Sequence, residues 1–502
     1  MSERKKGVVL SYIQVVLSIV INIAYVPILL KMLGKSEYGL YQLVGSLFSY
    51  ISIFESCMSS ATLRNYCDAL GNKDGIKANE VLYASIKIFR VLSFCLFFLG
   101  GLVILGFRQL YQVSLSSSEI QEGTFILFLL LVNMLVTLLG SVYNTMIIGN
   151  ERFLFFKGST IITQILQPFL VVLLVYKMPY ACMVTMAFTF INTLNTAVRY
   201  QYTKKYITTI NKCDSIDESV IKSIISLSVT VLFASVADQI FWKTDQLILG
   251  KIFNTTLVAI YSVGSQIYMI YLQFGMQVAN VFYPRISALY AETNGRKKVS
   301  DLFVRVGRIT LFILLLILSG FIIFGKEFLQ LWVGDGYEEA YYVGIVVMIP
   351  FTVDLSQNLG LPYLQIVGKY SYRAKMYFFS AILNIFTTIL FVYYCGIIGA
   401  AISTGISMAI TSGLLMNIYY HRKTDLDIIY YWKSNIPIII AAILLTVISL
   451  ICKGISHILF NRISMFCLGV LIYSMAYFIT MYTLVMNEDE KNIIHSFIHR
   501  RT

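Results

Sequence analysis

Runs of about 20 consecutive, mostly apolar residues recur along almost the whole chain and constrain its fold more than any other feature. A helix of that length crosses the hydrocarbon core of a bilayer, which is about 30 Å thick. Lipid offers no hydrogen-bonding partners, so only helices and closed barrels span it, and barrel strands have only about ten residues. Charged residues make up only 13% of the sequence, against about a quarter in soluble domains. The sequence therefore predicts an all-α polytopic membrane protein.

About fourteen such runs are present, and each predicts one transmembrane helix. They fall at residues 8–30, 38–63, 82–106, 123–148, 156–176, 179–199, 222–250, 256–284, 304–325, 340–367, 374–394, 396–420, 434–452 and 463–486. The longest predicted outer loops, 107–122 and 326–339, are too small for a folded catalytic domain. The function must therefore reside among the helices.

The basic residues indicate the orientation of these helices. With the N-terminus placed in the cytoplasm, 30 of the 39 lysines and arginines fall on the inner side, eight on the outer side, and Lys243 within a helix. Cytoplasmic loops of membrane proteins carry this excess of Lys and Arg. The sequence therefore predicts a multi-pass membrane protein with both termini in the cytoplasm. The net charge of +13 then reflects contact with anionic membrane lipids and not nucleic acid binding.

Residue patterns typical of catalysis or metal binding do not occur in the sequence. The eight cysteines form no CxxC pair, and the four histidines lack metal-ligand spacing. No nucleotide-binding motif and no Ser-His-Asp arrangement is apparent. We therefore predict no enzyme, no catalytic residue, no metal site and no bound cofactor, while coupling to Na⁺ or H⁺ is compatible with the sequence.

Short segments recur in the same order in the two halves of the chain. Val44-Gly45-Ser46 matches Val263-Gly264-Ser265 at an offset of 219 residues, and Ile148-Gly149 matches Val367-Gly368 at the same offset. Many transporters consist of repeated halves with the substrate at their interface. We predict a six-helix lobe at 1–210, a second six-helix lobe at 211–425, and two further helices with a cytoplasmic tail at 426–502. The alternative is that ordinary membrane hairpins share Gly and Tyr by chance.

Five further segments stand in a characteristic order along the chain. They are Leu33-Gly34-Lys35-Ser36-Glu37-Tyr38-Gly39-Leu40-Tyr41, Asp245 to Gly250 with Ala259-Ile260-Tyr261, Pro284-Arg285-Ile286-Ser287 with Gly295, Leu331-Trp332-Val333-Gly334, and Gly396 to Ala401. In this order the chain resembles the polysaccharide branch of the multidrug/oligosaccharidyl-lipid/polysaccharide exporter superfamily, which contains the O-antigen and capsule-unit flippases. The resemblance covers roughly residues 7–420.

This resemblance implies two six-helix lobes around a central, partly cationic cavity that opens alternately to the two membrane faces. It also implies a flippase for a polyprenyl-pyrophosphate-linked oligosaccharide used in surface polysaccharide biosynthesis, such as lipopolysaccharide O-antigen, capsule or exopolysaccharide. A polysaccharide polymerase and other assembly proteins are the protein partners that it suggests. Two alternatives stay open, namely a cation-coupled multidrug exporter of the same superfamily and a membrane polymerase or acyltransferase.

Ionisable residues inside predicted membrane helices are the candidates for a polar path, because a charge in lipid is costly unless it faces a cavity or a partner. They are Glu55, Asp238, Lys243, Asp245 and Asp354. Asp238 and Asp245 are seven residues apart, which places both on one helix face. We predict that the four carboxylates form ion or polar-cavity sites. Alternatively, Lys243 and Asp245 lie near the outer end of their helix and meet headgroup water.

A pyrophosphate cargo requires cations, and the planar guanidinium of arginine matches phosphate oxygens well. Arg64 and Arg285 lie at the inner ends of the predicted second and eighth helices, and Arg90 lies in the third. We predict that Arg64, Arg90, Lys243 and Arg285 bind the substrate. Orientation alone also accounts for arginines at inner helix ends, whereas it does not account for Lys243.

Overall fold

The computed structural model describes residues 3–207, 210–213, 216–455 and 463–492, and the regular secondary structure of these residues is entirely helical. The α-helices are α1 (Glu3–Gly71), α2 (Gly75–Tyr111), α3 (Ser117–Gly149), α4 (Phe153–Lys177), α5 (Ala181–Tyr206), α6 (Glu218–Ile252), α7 (Thr255–Tyr290), α8 (Gly295–Val333), α9 (Glu338–Ser356), α10 (Gly360–Ile366), α11 (Tyr370–Met408), α12 (Met416–Lys423), α13 (Ile428–Ile455) and α14 (Ile463–Leu484). A π-helical turn, Ala409–Leu415, joins α11 to α12.

Two helical elements each contain two membrane-spanning arms. The apolar span that contains most of α1 has 59 residues, which as one straight helix would be about 90 Å long, far more than the bilayer. The backbone leaves the helical region at Gly34 (φ +77°) in α1 and at Gly396 (φ +58°) in α11, a conformation that glycine adopts without a steric penalty. Asn384 Nδ2 donates to Thr404 Oγ1 at 3.0 Å, so the two arms of α11 pack side by side.

In the described part of the chain, twelve helical spans are long and apolar enough to cross a membrane. One of them contains the two arms of α1, and another contains the two arms of α11. Counting these arms separately gives fourteen spans, as the apolar runs predict. The predicted all-α polytopic fold is therefore confirmed.

The chain divides into two compact units, Met1–Ser262 and Val263–Thr502. The first contains α1 to α6 and the first turns of α7, and the second contains the remaining helices. The three-part division predicted from the sequence, with limits at 210 and 425, stays a prediction.

In the first unit, the second arm of α1 packs antiparallel to α6. Tyr50 Oη and Thr244 Oγ1 lie 2.7 Å apart, and Ser223 Oγ donates to Asn65 Oδ1 at 2.7 Å. Residue numbers at these contacts rise along α1 while they fall along α6, which defines the antiparallel direction. In lipid, such side-chain hydrogen bonds stabilise helix packing because a separated polar group would have no water to bond.

The first of the five characteristic sequence segments forms the turn between the two arms of α1. Ser36 Oγ and Thr255 Oγ1 lie 3.0 Å apart, and the Glu37 carboxylate accepts a hydrogen bond of 2.8 Å from the backbone N–H of Ala181, the first residue of α5. A Cβ atom at Gly39 would overlap the backbone carbonyl of Thr255. The segment therefore holds the start of α5 and the start of α7 against α1.

In the second unit, α13 and α14 pack against α8. The Tyr477 hydroxyl donates to the Phe312 carbonyl at 2.9 Å. Arg308 of α8 forms an ion pair of 2.7 Å with Glu490, which follows α14, and both side chains are 6% exposed. The two C-terminal helices are therefore joined to the rest of this unit by buried polar contacts as well as by apolar packing.

The close approach at Gly39 yields a stability prediction. We expect Gly39→Ala to lower the yield and the thermal stability of the folded protein, because its methyl group must displace the Thr255 backbone. The measurement is fluorescence-detected size-exclusion chromatography of the detergent-extracted protein after heating.

Gly45→Ala is the matched control for this prediction. A Cβ atom at Gly45 meets no other heavy atom within 4 Å, and alanine favours a helix by about 0.5–1 kcal/mol over glycine. This variant should be at least as stable as the original chain. Equal stability of the two variants would contradict a tight contact between Gly39 and Thr255.

Candidate functional site

Polar side chains in the membrane-spanning part of the first unit concentrate where α1, α6 and the first turns of α7 pack together. We call this set the polar strip, and its members are Ser46, Tyr50, Glu55, Asp238, Lys243, Thr244, Asp245, Gln246, Tyr261 and Ser262. A buried polar group without a hydrogen bond costs about 1–3 kcal/mol, so partners are expected within the strip. Four of the eight predicted site residues belong to it.

The buried part of the polar strip is centred on Asp245. Asp245 is 2% exposed, and its carboxylate accepts a hydrogen bond of 2.5 Å from the Tyr261 hydroxyl. Beside it, Gln246 accepts a hydrogen bond from Ser46 and donates one of 3.1 Å to Ser262. These bonds connect α6 to both α1 and α7. The arrangement favours a structural role of Asp245 over contact with headgroup water.

The accessible part of the polar strip contains the other two carboxylates. Asp238 is exposed and accepts a hydrogen bond of 3.2 Å from Trp242 Nε1, one turn further along α6. Glu55 is half-buried on α1 and accepts a hydrogen bond of 3.0 Å from Ser59. Although Asp238 and Asp245 share a face of α6, the first is therefore accessible and the second is not.

Lys243 is half-buried on α6 and is a cation within the polar strip. The negative charge of Asp238 acts on it, yet no ion pair of Lys243 with N···O within 4 Å occurs among the described residues. The 5-residue separation on α6 turns the two side chains roughly 140° apart. The ammonium group can therefore meet a second anion without breaking an existing pair.

The three predicted substrate-binding arginines all have exposed side chains. Arg64 lies on α1 and Arg90 on α2 in the first unit, whereas Arg285 lies on α7 in the second. Near Arg285, the hydrogen bond of 2.7 Å from Lys298 keeps the pKa of Glu292 below its ordinary value, and the charge of Arg285 contributes to the same effect. None of the three arginines is buried in a built pocket of its own unit.

Asp354 in the second unit has a cationic partner that the sequence pattern did not identify. Its carboxylate lies 2.9 Å from Nη2 of Arg373, and the two side chains are 15% and 13% exposed. The other terminal nitrogen, Nη1, donates to Ser412 Oγ at 3.1 Å. Ser412 belongs to the π-helical turn, a local geometry that is frequent at functional sites. Asp354 is therefore not a free carboxylate in this conformation.

Three arginines with mostly enclosed side chains, Arg199, Arg308 and Arg373, were not among the predicted site residues. Arg199 in α5 and Arg308 in α8 are buried, and Arg373 in α11 belongs to a mostly enclosed ion pair. The positive-inside rule accounts for any arginine near an inner helix end. It therefore does not distinguish arginines that are buried in the protein from those that are exposed. The only available signal was that these arginines fall inside or beside apolar runs.

The chain is similar to proteins of a known family. The family profile described as "Polysaccharide biosynthesis protein" matches residues 28–342. A relative from Haloferax volcanii, the "Probable low-salt glycan biosynthesis flippase Agl15", is 20% identical over 193 residues, which is 38% of this chain and 41% of the relative. The matched segment thus spans less than half of the archaeal protein.

Solved structures share the fold over nearly the whole chain. The lipid II flippase MurJ in an inward closed conformation superimposes with a TM-score of 0.72 at 15% identity, covering 94% of this chain and 97% of the other. An inward-facing multidrug resistance transporter of the MATE family superimposes with a TM-score of 0.65 at 14% identity, covering 83% and 96%. At these identities the similarity establishes a common fold.

The ion pair in the second unit leads to a second stability prediction. We expect Asp354→Asn and Arg373→Gln each to destabilise the protein, by up to about 3–5 kcal/mol, because each leaves an enclosed charge without its partner. The double variant should lose less than the sum of the two single variants. The measurement is the thermal unfolding midpoint of the purified protein in detergent.

Ser412→Ala separates the ion pair from its additional hydrogen bond. It should cost about 1 kcal/mol, the usual net value of one hydrogen bond. Strictly additive losses in the two charge variants would mean that Asp354 and Arg373 do not interact in the folded protein.

Proposed function

Because this chain belongs to the polysaccharide biosynthesis protein family, we propose that it is a flippase for a polyprenyl-pyrophosphate-linked oligosaccharide. It moves this lipid from the cytoplasmic to the outer leaflet by alternating access. The observation that carries the proposal is the family match, which covers residues 28–342. The fold in common with a lipid II flippase and the name of the Haloferax relative support the same class of cargo.

The polar strip has the chemistry that such a cargo needs. A charged sugar headgroup cannot cross about 30 Å of hydrocarbon unless the protein replaces its water, whereas the polyprenyl tail can stay in lipid. The carboxylates in the accessible part of the strip, Asp238 and Glu55, offer hydrogen bonds to sugar hydroxyls at the depth of the membrane. Tyr50 and Trp242 add aromatic surface beside them.

Cations provide the recognition of the pyrophosphate. Lys243 is the strongest candidate, because it lies within a membrane span and has no ion pair among the described residues. Arg64, Arg90 and Arg285 have exposed guanidinium groups that suit bidentate contact with phosphate oxygens. We propose that they receive the headgroup near the cytoplasmic face.

Coupling to Na⁺ or H⁺ is a further part of the proposal and involves Glu55 and Asp238. Both carboxylates accept one neutral side-chain hydrogen bond and are accessible enough to bind a proton or a cation. Asp354 suits this role less well, because Arg373 already neutralises it. Asp245 is also a weaker candidate, since its carboxylate is buried against Tyr261.

The proposed cellular setting is the inner membrane of a bacterium, with both chain termini in the cytoplasm. The cargo would enter surface polysaccharide biosynthesis as an O-antigen, capsule or exopolysaccharide unit. A polysaccharide polymerase would then consume it on the outer side, and the flippase itself would make or break no covalent bond.

A cation-coupled multidrug exporter is the second candidate, and the fold in common with the MATE-family transporter favours it. Drug-susceptibility tests on a deletion strain distinguish the two functions. An exporter predicts higher sensitivity to cationic drugs with unchanged surface polysaccharide, whereas a flippase predicts loss of the polysaccharide and lipid-linked units that face the cytoplasm.

A transport experiment tests the role of Lys243. The purified protein is reconstituted into vesicles, and the transfer of a fluorescent polyprenyl-pyrophosphate oligosaccharide between leaflets is followed by its accessibility to a membrane-impermeant quencher. We expect Lys243→Gln to slow transfer by about tenfold or more, because one charge-assisted hydrogen bond is worth about 1.5–3 kcal/mol.

Lys251→Gln is the matched control, since Lys251 is an exposed residue of the last turn of the same helix. It should transfer the lipid at the original rate. Undiminished transfer by the Lys243 variant would remove this residue from the site, and no transfer by the original chain, in either direction, would refute the proposed function.

A further inference from the structure

A polar cavity lies in the first unit between α1, α4 and α5, and none of its lining residues belongs to the polar strip. Its volume is about 340 Å³. We call it the Arg199 pocket, and its polar lining consists of Gln14, Thr160, Thr163, Gln167, Asn192, Asn195 and Arg199. The amides of Gln167 and Asn195 make no hydrogen bond among the described residues, so the pocket contains polar groups that are free to bind a ligand.

Arg199 is a buried cation whose protein partners are all neutral. It is 8% exposed, and its guanidinium donates to Ser159 at 3.2 and 3.0 Å, to Asn144 at 2.8 Å and to Thr160 at 2.8 Å. These contacts use four of its five N–H groups and connect α3, α4 and α5. No ion pair of Arg199 occurs among the described residues. Its charge therefore acts on the adjoining cavity.

Lys157 provides a second positive charge beside the same cavity. Its Nζ donates to Gln14 Oε1 at 3.1 Å, and it too has no ion pair among the described residues. Both cations lie near the ring of the pocket residue Phe156, with Arg199 at 4.4 Å and Lys157 at 6.0 Å from the ring centre. Two cations without an ion pair among the described residues thus lie near one ring of the Arg199 pocket.

An apolar groove of about 460 Å³ adjoins the Arg199 pocket and has three lining residues in common with it, Thr163, Ile191 and Asn195. The other side chains of the groove are mostly aliphatic or aromatic, namely Leu154, Phe155, Ile162, Leu166, Leu194 and Val198. Ile162 is 58% exposed on the outside of α4, where a membrane helix meets lipid. The cationic pocket and the lipid-facing groove therefore adjoin one another at these three residues.

We propose that the Arg199 pocket and its groove bind one anionic glycerophospholipid of the cytoplasmic leaflet. The phosphate lies against Arg199 and Lys157, and one acyl chain lies in the groove. Basic pockets between membrane helices on the cytoplasmic side bind anionic headgroups in this way. The same end of α5 carries Lys204 and Lys205, which the positive-inside rule assigns to the cytoplasm.

The size of the pocket distinguishes this ligand from the proposed cargo. A cavity of about 340 Å³ is near the lower limit of pockets for drug-sized molecules. It accommodates a phosphate with its glycerol, but not an oligosaccharide of several sugars. A bound phospholipid would link α1, α4 and α5 and would stabilise the first unit whether or not the chain transports a glycolipid.

The test is native mass spectrometry of the purified full-length chain, titrated in parallel with phosphatidylglycerol, phosphatidylcholine and glycerol 3-phosphate. We expect one retained phosphatidylglycerol and a preference over phosphatidylcholine of about tenfold or more. Both headgroups carry a phosphate, but Arg199 and Lys157 repel the positive choline group of phosphatidylcholine. Free glycerol 3-phosphate should bind much more weakly, because it lacks the chain that fills the groove.

Variants assign the binding to the pocket. Lys157→Gln and Arg199→Gln should each lower the affinity for phosphatidylglycerol, with Lys157→Gln the safer variant because its side chain joins fewer helices. Gly158→Phe should block the groove, since a Cβ atom at Gly158 meets no other heavy atom within 4 Å. The double variant Lys204→Gln/Lys205→Gln removes two exposed charges outside the pocket and should bind like the original chain.

Three results would overturn the proposal. They are equal affinity for the two phospholipids, equal affinity of the Lys157 and Lys204/Lys205 variants, and binding of glycerol 3-phosphate as tight as that of phosphatidylglycerol. The experiment contains no glycolipid, so its outcome is independent of whether the chain is a flippase.

Discussion

The absence of water from the bilayer interior is the constraint on which the whole structure depends, because every polar group there needs a partner within the protein. Helices provide hydrogen-bond partners for the backbone, and side chains such as Tyr50 of α1 and Thr244 of α6 form hydrogen bonds with one another. The same contacts fix which helices are neighbours. In the first unit, the Asp245–Tyr261 bond and the Gln246 bonds hold α6 between α1 and α7.

The spans were predictable from the sequence because bilayer thickness sets their length, and this applies even where two spans form one continuous helical element. Gly34 and Gly396 stood in the characteristic segments, and both have a positive φ where the chain changes from one arm to the next. The ion-pair partners of the charged side chains were not predictable in the same way. Arg373 reaches Asp354 from another helix, and no spacing along the chain encodes that contact. The positive-inside rule gave Arg373 a sufficient explanation and thereby concealed its burial.

The two carboxylates of α6 show what periodicity leaves undetermined. A separation of seven residues correctly gives Asp238 and Asp245 the same helix face. Whether that face is covered depends on what packs against it at each height, and the start of α7 covers only the end at Asp245. Asp238, two turns away, is exposed. Helical periodicity therefore specifies direction, whereas tertiary packing specifies accessibility, and site predictions require both.

The charged side chains fall into two functional classes, according to whether an oppositely charged side chain pairs with them. A charge with a permanent internal partner, such as Arg308 with Glu490 or Asp354 with Arg373, contributes to stability and specificity but is not available to a ligand that must be bound and released. A charge with only neutral partners is held in place and still attracts an ion of opposite sign. Arg199 belongs to this second class. Lys243 is also available to a further anion, because the charge of Asp238 acts on it without an ion pair among the described residues. Their surroundings differ, because Lys243 lies in the polar strip, whereas the pocket that Arg199 lines adjoins an apolar groove.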